Sequence, residues 1–119
     1  MKFRAVAIVH SFILLIYLVH ITEENLSAFF LRQYFGVWFT IVTVAGFFIF
    51  ASIVPWIARG ELWALYGSFI FGIIMILNAI IHVWSVLAIR DTHGAITGIG
   101  TMIVVIPFMC HLTREIRSR

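Results

Sequence analysis

The stretch Ala5-Val-Ala-Ile-Val-His10-Ser-Phe-Ile-Leu-Leu-Ile-Tyr-Leu-Val-His20-Ile21, continued by Thr22-Glu23-Glu24-Asn25, decides the fold. Its first seventeen residues carry no formal charge. At about 1.5 Å per residue such a run nearly crosses a hydrocarbon core of about 30 Å. An imidazole and two adjacent carboxylates stand at its end, where a membrane helix meets water or a pocket. Ionisable groups at membrane depth are costly and face a bundle interior, a partner or a metal. If the helix continues, Glu23 and Glu24 fall about 60° to one side of His20 and about 40° to the other. The three side chains then share one face.

Outward from this stretch, residues 34–58, 62–89 and 94–110 are also free of formal charge. The chain has 119 residues, 63% hydrophobic and only 11% charged, with a mean hydropathy of +1.12. Soluble domains carry about 25% charged residues. The reading is therefore an all-α integral membrane four-helix bundle, a single transmembrane domain over 1–119. Its spans fall at about 4–22 (or on to 31 if the first helix overshoots), 34–57, 62–89 and 94–112. After the first span, either the helix runs on to about Leu31 or Asn25 caps a short interfacial helix.

The net charge of +3 and pI near 9.6 are spread over tails and turns. No basic face is interleaved with aromatics, which argues for the lipid bilayer as partner and against nucleic acid. Cys110, the only cysteine, excludes disulfides within the chain and cysteine-rich metal sites, and reads as a small packing residue. Lys2 and Arg4 before an apolar run look like a signal peptide. The run ends in Val19-His20-Ile21-Thr22 without a small-x-small cleavage site, so an uncleaved span is expected.

Four spans place both termini on one side with Lys2, Arg4, Arg59, Arg114, Arg117 and Arg119, against Arg32 and Arg90 on the other. By the positive-inside rule both termini are cytoplasmic, in a bacterial inner membrane. That orientation puts His20, Glu23 and Glu24 at the outer end of the first span. It also puts His82 about 10 Å inside the outer end of the third, with Asn78 one turn deeper. His93 opens the fourth span from the same side. Short turns near Gly60 and Thr92 enforce antiparallel neighbours. Small residues (Gly67, Ser68, Gly72; Gly94, Gly98) let backbones approach. Pro55 is expected to end the second span and Pro107 to kink the fourth.

Imidazole with carboxylate suits a divalent iron, zinc or manganese ion. The expected ligands are His20, Glu23, Glu24 and His82. Asn78 and Ser85 share the His82 face and are placed to orient it, while Asp91 and His93 are auxiliary donors. A four-carboxylate dinuclear centre is improbable, because the chain holds only five acidic residues. His10 reads as a lone core histidine, His111 as an interfacial anchor, and Met75, Met102 and Met109 as packing.

His20-x-x-Glu23-Glu24, Asn78-x-x-x-His82, a turn ending in Gly94 and a proline at Pro107 together resemble the HXXEE-domain family of small integral membrane proteins. Where that family has Tyr-x-Pro-Gly, this chain has Asp91-Thr92-His93-Gly94, and only the glycine matches. The resemblance implies which residues matter and carries no established activity. Three functions stay open. The preferred one is a metal-binding membrane protein, acting on a lipid-like substrate if it is an enzyme. The others are a redox subunit with haem b held axially by His20 and His82, and an accessory subunit of a larger membrane assembly or homo-oligomer.

Overall fold

The computed structural model describes residues 2–119. They fold as an all-α bundle of α1 (Lys2–Leu26), α2 (Phe30–Phe35), α3 (Val37–Ser52), α4 (Val54–Ala58), α5 (Leu62–Ile89), α6 (Ala95–Gly100) and α7 (Met102–Arg117). Four helical stretches are long and apolar enough to cross a membrane: α1, α3 with α4, α5, and α6 with α7. The bundle is 43 Å long, more than the thickness of a hydrocarbon core of about 30 Å.

Helices α1 and α5 face each other across the middle. The α3–α4 pair and the α6–α7 pair fill the two sides and pack on both. The inward residues of α1 are Val6, Ala7, His10, Ile13, Leu14, His20, Ile21 and Glu24, at spacings of three and four. Those of α5 include Leu65, Ser68, Phe71, Met75, Ala79, His82 and Ser85. Outward positions are apolar as well: Ile8, Phe12, Leu15 and Val19 on α1, and Ile70, Leu77 and Ile80 on α5. Both faces of these helices are therefore largely apolar, and the polar side chains His10, His20, Glu24, Ser68, His82 and Ser85 lie inside, where they find partners that hydrocarbon cannot provide.

His10 is such a side chain. Its Nε2–H donates to Phe50 O (2.9 Å), so Nδ1 accepts from the Ser68 hydroxyl (2.7 Å). It is a fully satisfied core histidine that ties α1 to α3 and α5.

The structure resolves the first connection. Helix α1 continues through Glu23 and Glu24 but stops at Leu26, short of Leu31, and a separate short helix follows. Asn25 does not cap that helix, whose N-cap is Phe29. The Asn25 amide instead donates to Ile21 O and Thr43 Oγ1 and accepts from Thr40, fastening α1 to α3. Pro55 does not end the second span. The break lies at Ile53, and Pro55 occupies the first turn of α4, where a missing N–H costs nothing. Helix α7 runs on through Pro107, and the interruption of that span is upstream, at Thr101. There the hydroxyl back-bonds to Thr97 O, a contact that bends helices. Cys110 is exposed and packs no core. The glycines receive side chains and not neighbouring backbones: a Cβ at Gly67 would meet Ile53, and one at Gly72 would meet Met109.

Candidate metal centre

At the end of the bundle holding the α1 C-terminus and the α5–α6 turn, three side chains converge from helices far apart in sequence. His20 and Glu24 lie one turn apart on α1, and His82 comes from α5. All three are buried, His20 and His82 completely and Glu24 to 2% exposure. His82 Nε2 lies 3.1 Å from His20 Nε2 and 2.8 Å from Glu24 Oε1, and Glu24 Oε1 also contacts His20 Nε2 directly. The imidazole rings meet edge-on with centroids 4.7 Å apart. Among the described residues this is the one group of three or more such side chains arranged to hold a metal ion.

The hydrogen bonds fix the His20 tautomer. Thr97 Oγ1 donates its single proton to oxygen, Glu23 Oε2 at 2.8 Å or Gly94 O at 3.2 Å. It can therefore only accept from His20 Nδ1–H, at 2.8 Å. The lone pair of His20 consequently sits on Nε2 and points at Glu24 Oε1 and His82. Asn78 Nδ2 donates to the same nitrogen from one turn deeper (2.9 Å). Two lone-pair atoms in contact repel unless a proton or a cation lies between them. The only proton the triad itself supplies is the one His82 carries on Nε2. In that tautomer His82 Nδ1 is buried without a hydrogen-bond partner among the described residues.

The walls of the site are unexpectedly specific. The Phe29 ring, 1% exposed, lies nearly parallel to His82 with centroids 4.8 Å apart. A Cβ on Gly98 would lie 2.6 Å from His82 Cδ2 and 3.0 Å from His20 Cε1. One on Gly94 would lie 3.2 Å from Cε1 of both histidines, and its φ of +71° disfavours a side chain in any case. The turn into α6 fits the two rings because both positions lack side chains.

The remaining candidates separate cleanly. Glu23 is not part of the buried group: it lies on the exposed side of α1, bonded to Thr97, because a further 100° turn is what carries Glu24 inward. Asn78 lies one turn deeper than His82, but its amide reaches His20 Nε2 and not the His82 ring it was expected to orient. Ser85 donates to the carbonyls of His82 and Asp91 and does not reach the imidazole. Asp91 and His93 form a latch outside the triad. Asp91 accepts from the Phe30 amide (2.9 Å), the His93 amide (3.0 Å) and His93 Nδ1 (2.7 Å), and so holds the start of α2, and Phe29 with it, over the site. Thr97 and Phe29 were missed from sequence, and Gly98 was read only as a small residue for close backbone approach. Thr97 carried a weak signal, lying one turn after Gly94, whereas nothing local marked Phe29.

Burial pushes the Asp91 carboxyl up, but the His93 and Phe30 donors outweigh it and hold the group below the ordinary aspartate value. A depressed value means that the latch is at full strength above the ordinary aspartate value and is lost as pH falls through the lower folded one. Trp84, whose ring lies 5.7 Å from Phe30, reports on it. With Trp84 kept as the sole tryptophan, its fluorescence in micelles should show a step below the ordinary aspartate value, as the carboxyl protonates. Asp91→Asn should lack that acid step, and an identical step in the variant would refute the latch.

In comparisons with known proteins, no family model, no curated protein and no solved structure matches the chain. Fold and site together define an all-α bundle with four helices able to span a membrane and a buried His–Glu–His group that could hold a metal ion.

Proposed function

We propose that this chain is a polytopic membrane protein that binds one divalent metal ion through His20 Nε2, Glu24 Oε1 and His82 Nε2. The observation that carries the reading is the convergence of these three buried atoms, with separations of 2.8 and 3.1 Å about His82 Nε2. Ligands about 2 Å from an ion lie about 3 Å from one another, so an ion fits with little spreading of the triad. His20 donates its outer N–H to Thr97, the arrangement that fixes the tautomer of metal-bound histidines. Two imidazoles and one carboxylate suit iron, zinc or manganese. The resemblance to the HXXEE-domain family belongs to the same reading, as does the orientation with both termini cytoplasmic and the site in the outer half. Leu26 and Ile96, beside the site, are among the most exposed large apolar side chains of the described residues. A lipid-like molecule is therefore the substrate class that such a site would meet.

The haem alternative is disfavoured by the same distances. Axial histidines stand on opposite faces of the macrocycle, each about 2 Å from the iron. Nitrogens 3.1 Å apart leave no room for it.

Purified protein in detergent, dialysed against iron, zinc or manganese, should retain about one equivalent of metal by elemental analysis. The His20→Ala/His82→Ala double variant should retain none, Glu24→Gln should bind at least about a hundredfold more weakly, and Glu61→Gln should match the wild type. Sub-stoichiometric metal in wild type and double variant alike overturns the proposal. A larger native mass with bound partners would then favour the accessory-subunit reading.

A further inference from the structure

The buried triad has no open path to water, yet an ion must reach it. A cavity of about 300 Å³ lies just outside, lined by Glu23, Ser27, Thr92, His93 and Gly94 with two apolar residues, Leu26 and Ile96, at its edge. An ion with six waters at about 30 Å³ each occupies about 180 Å³, so a hydrated ion fits. The wall between cavity and triad is one residue thick. Gly94 lines the cavity on one side, and its missing Cβ would sit 3.2 Å from His20 and His82 and 3.3 Å from Glu24 Cγ on the other. The other sides of the triad are closed by the Phe29 ring, the Gly98 turn and the bundle interior around Asn78.

We infer that this cavity is the vestibule through which the metal ion is taken up, with Glu23 and His93 as its transient ligands. The inference rests on the metal-binding reading above. Glu23 is the neighbour of the buried ligand Glu24 and stays exposed, so its carboxylate can meet an ion before any dehydration. His93 directs Nδ1–H at Asp91, which leaves the Nε2 lone pair for a ligand. Imidazole with carboxylate selects the same ions as the triad and discriminates against magnesium and calcium, which prefer oxygen alone. Thr97 joins the two sites through one side chain, accepting from His20 and donating to Glu23. Passage then needs only a local shift of the Gly94 turn, with no separation of the helices.

The role predicts a kinetic signature. A transient ligand speeds arrival and departure equally, so its loss changes rates and leaves equilibrium affinity alone. Zinc association with metal-free protein in micelles is followed by stopped-flow Trp84 fluorescence, and affinity by competition with a chelating dye. Glu23→Gln, which keeps an acceptor for Thr97, should slow association and dissociation about tenfold each with Kd unchanged, within the range of electrostatic steering. Leu26→Glu, at an exposed position on the cavity edge, should speed association. Wild-type rates in both variants overturn the vestibule and leave the metal site standing. A weakened Kd at unchanged association rate in Glu23→Gln makes Glu23 a resident ligand and overturns it as well. Failure of the wild type to bind zinc, iron or manganese removes the metal reading and the vestibule with it.

Discussion

Phe29→Ala is expected to lower stability by about 3–5 kcal/mol, the usual cost of emptying a buried phenylalanine site. Phe29 is 1% exposed, stacks on the His82 ring at 4.8 Å and touches Phe30 and Phe39. Its removal leaves a void directly over the triad, at the end of the bundle where water is nearest. Water admitted there weakens every electrostatic contact inside by raising the local dielectric. Two readouts check this: thermal unfolding in micelles, and metal retention during chelator challenge, which should shorten markedly. Phe35→Ala is the control, because that ring is exposed and lies against no residue of the triad. Equal losses for both variants would show that Phe29 contributes only generic apolar area.

Gly98→Ala is expected to destabilise by about 1–3 kcal/mol, an overpacking effect from a single methyl group. The new Cβ would stand 2.6 Å from His82 Cδ2, and the ring has little room to retreat because Phe29 stacks on it and His20 meets it edge-on. The rings must separate or α6 must move out, and either change spoils the triad. Gly100→Ala on the same helix meets nothing within 4 Å and should be neutral or slightly stabilising, since alanine favours the helix. The contrast between two glycines two residues apart separates steric fit from helix propensity. A Gly98→Ala protein with unchanged melting temperature and metal content would remove the proposed cradle.

Long apolar runs with charges confined to turns state the spans outright, because hydrocarbon tolerates little else. The same expense made His20, Glu24 and His82 conspicuous, since an ionisable group on a membrane helix must be met by something. What sequence could not choose was between Glu23 and Glu24, which flank the His20 direction by similar angles on an ideal helix. The rotation of α1 against its neighbours makes that choice, and α1 is apolar almost all round, so no periodicity announces its inner face. The boundary of α1 at Leu26 was equally open, because the residues after it are apolar again.

By itself, then, the sequence determined an all-α chain with four helices able to span a membrane and narrowed the interior polar group to four side chains, His20, Glu23, Glu24 and His82, through the cost of polar groups in oil. Only the tertiary structure decided that Glu24 turns in and Glu23 out, and that Thr97 holds His20. It alone brought Phe29 and Gly98 against the two rings. Thr97 lies 77 residues from His20, and contacts of that kind arise from packing of whole helices, which no local pattern encodes.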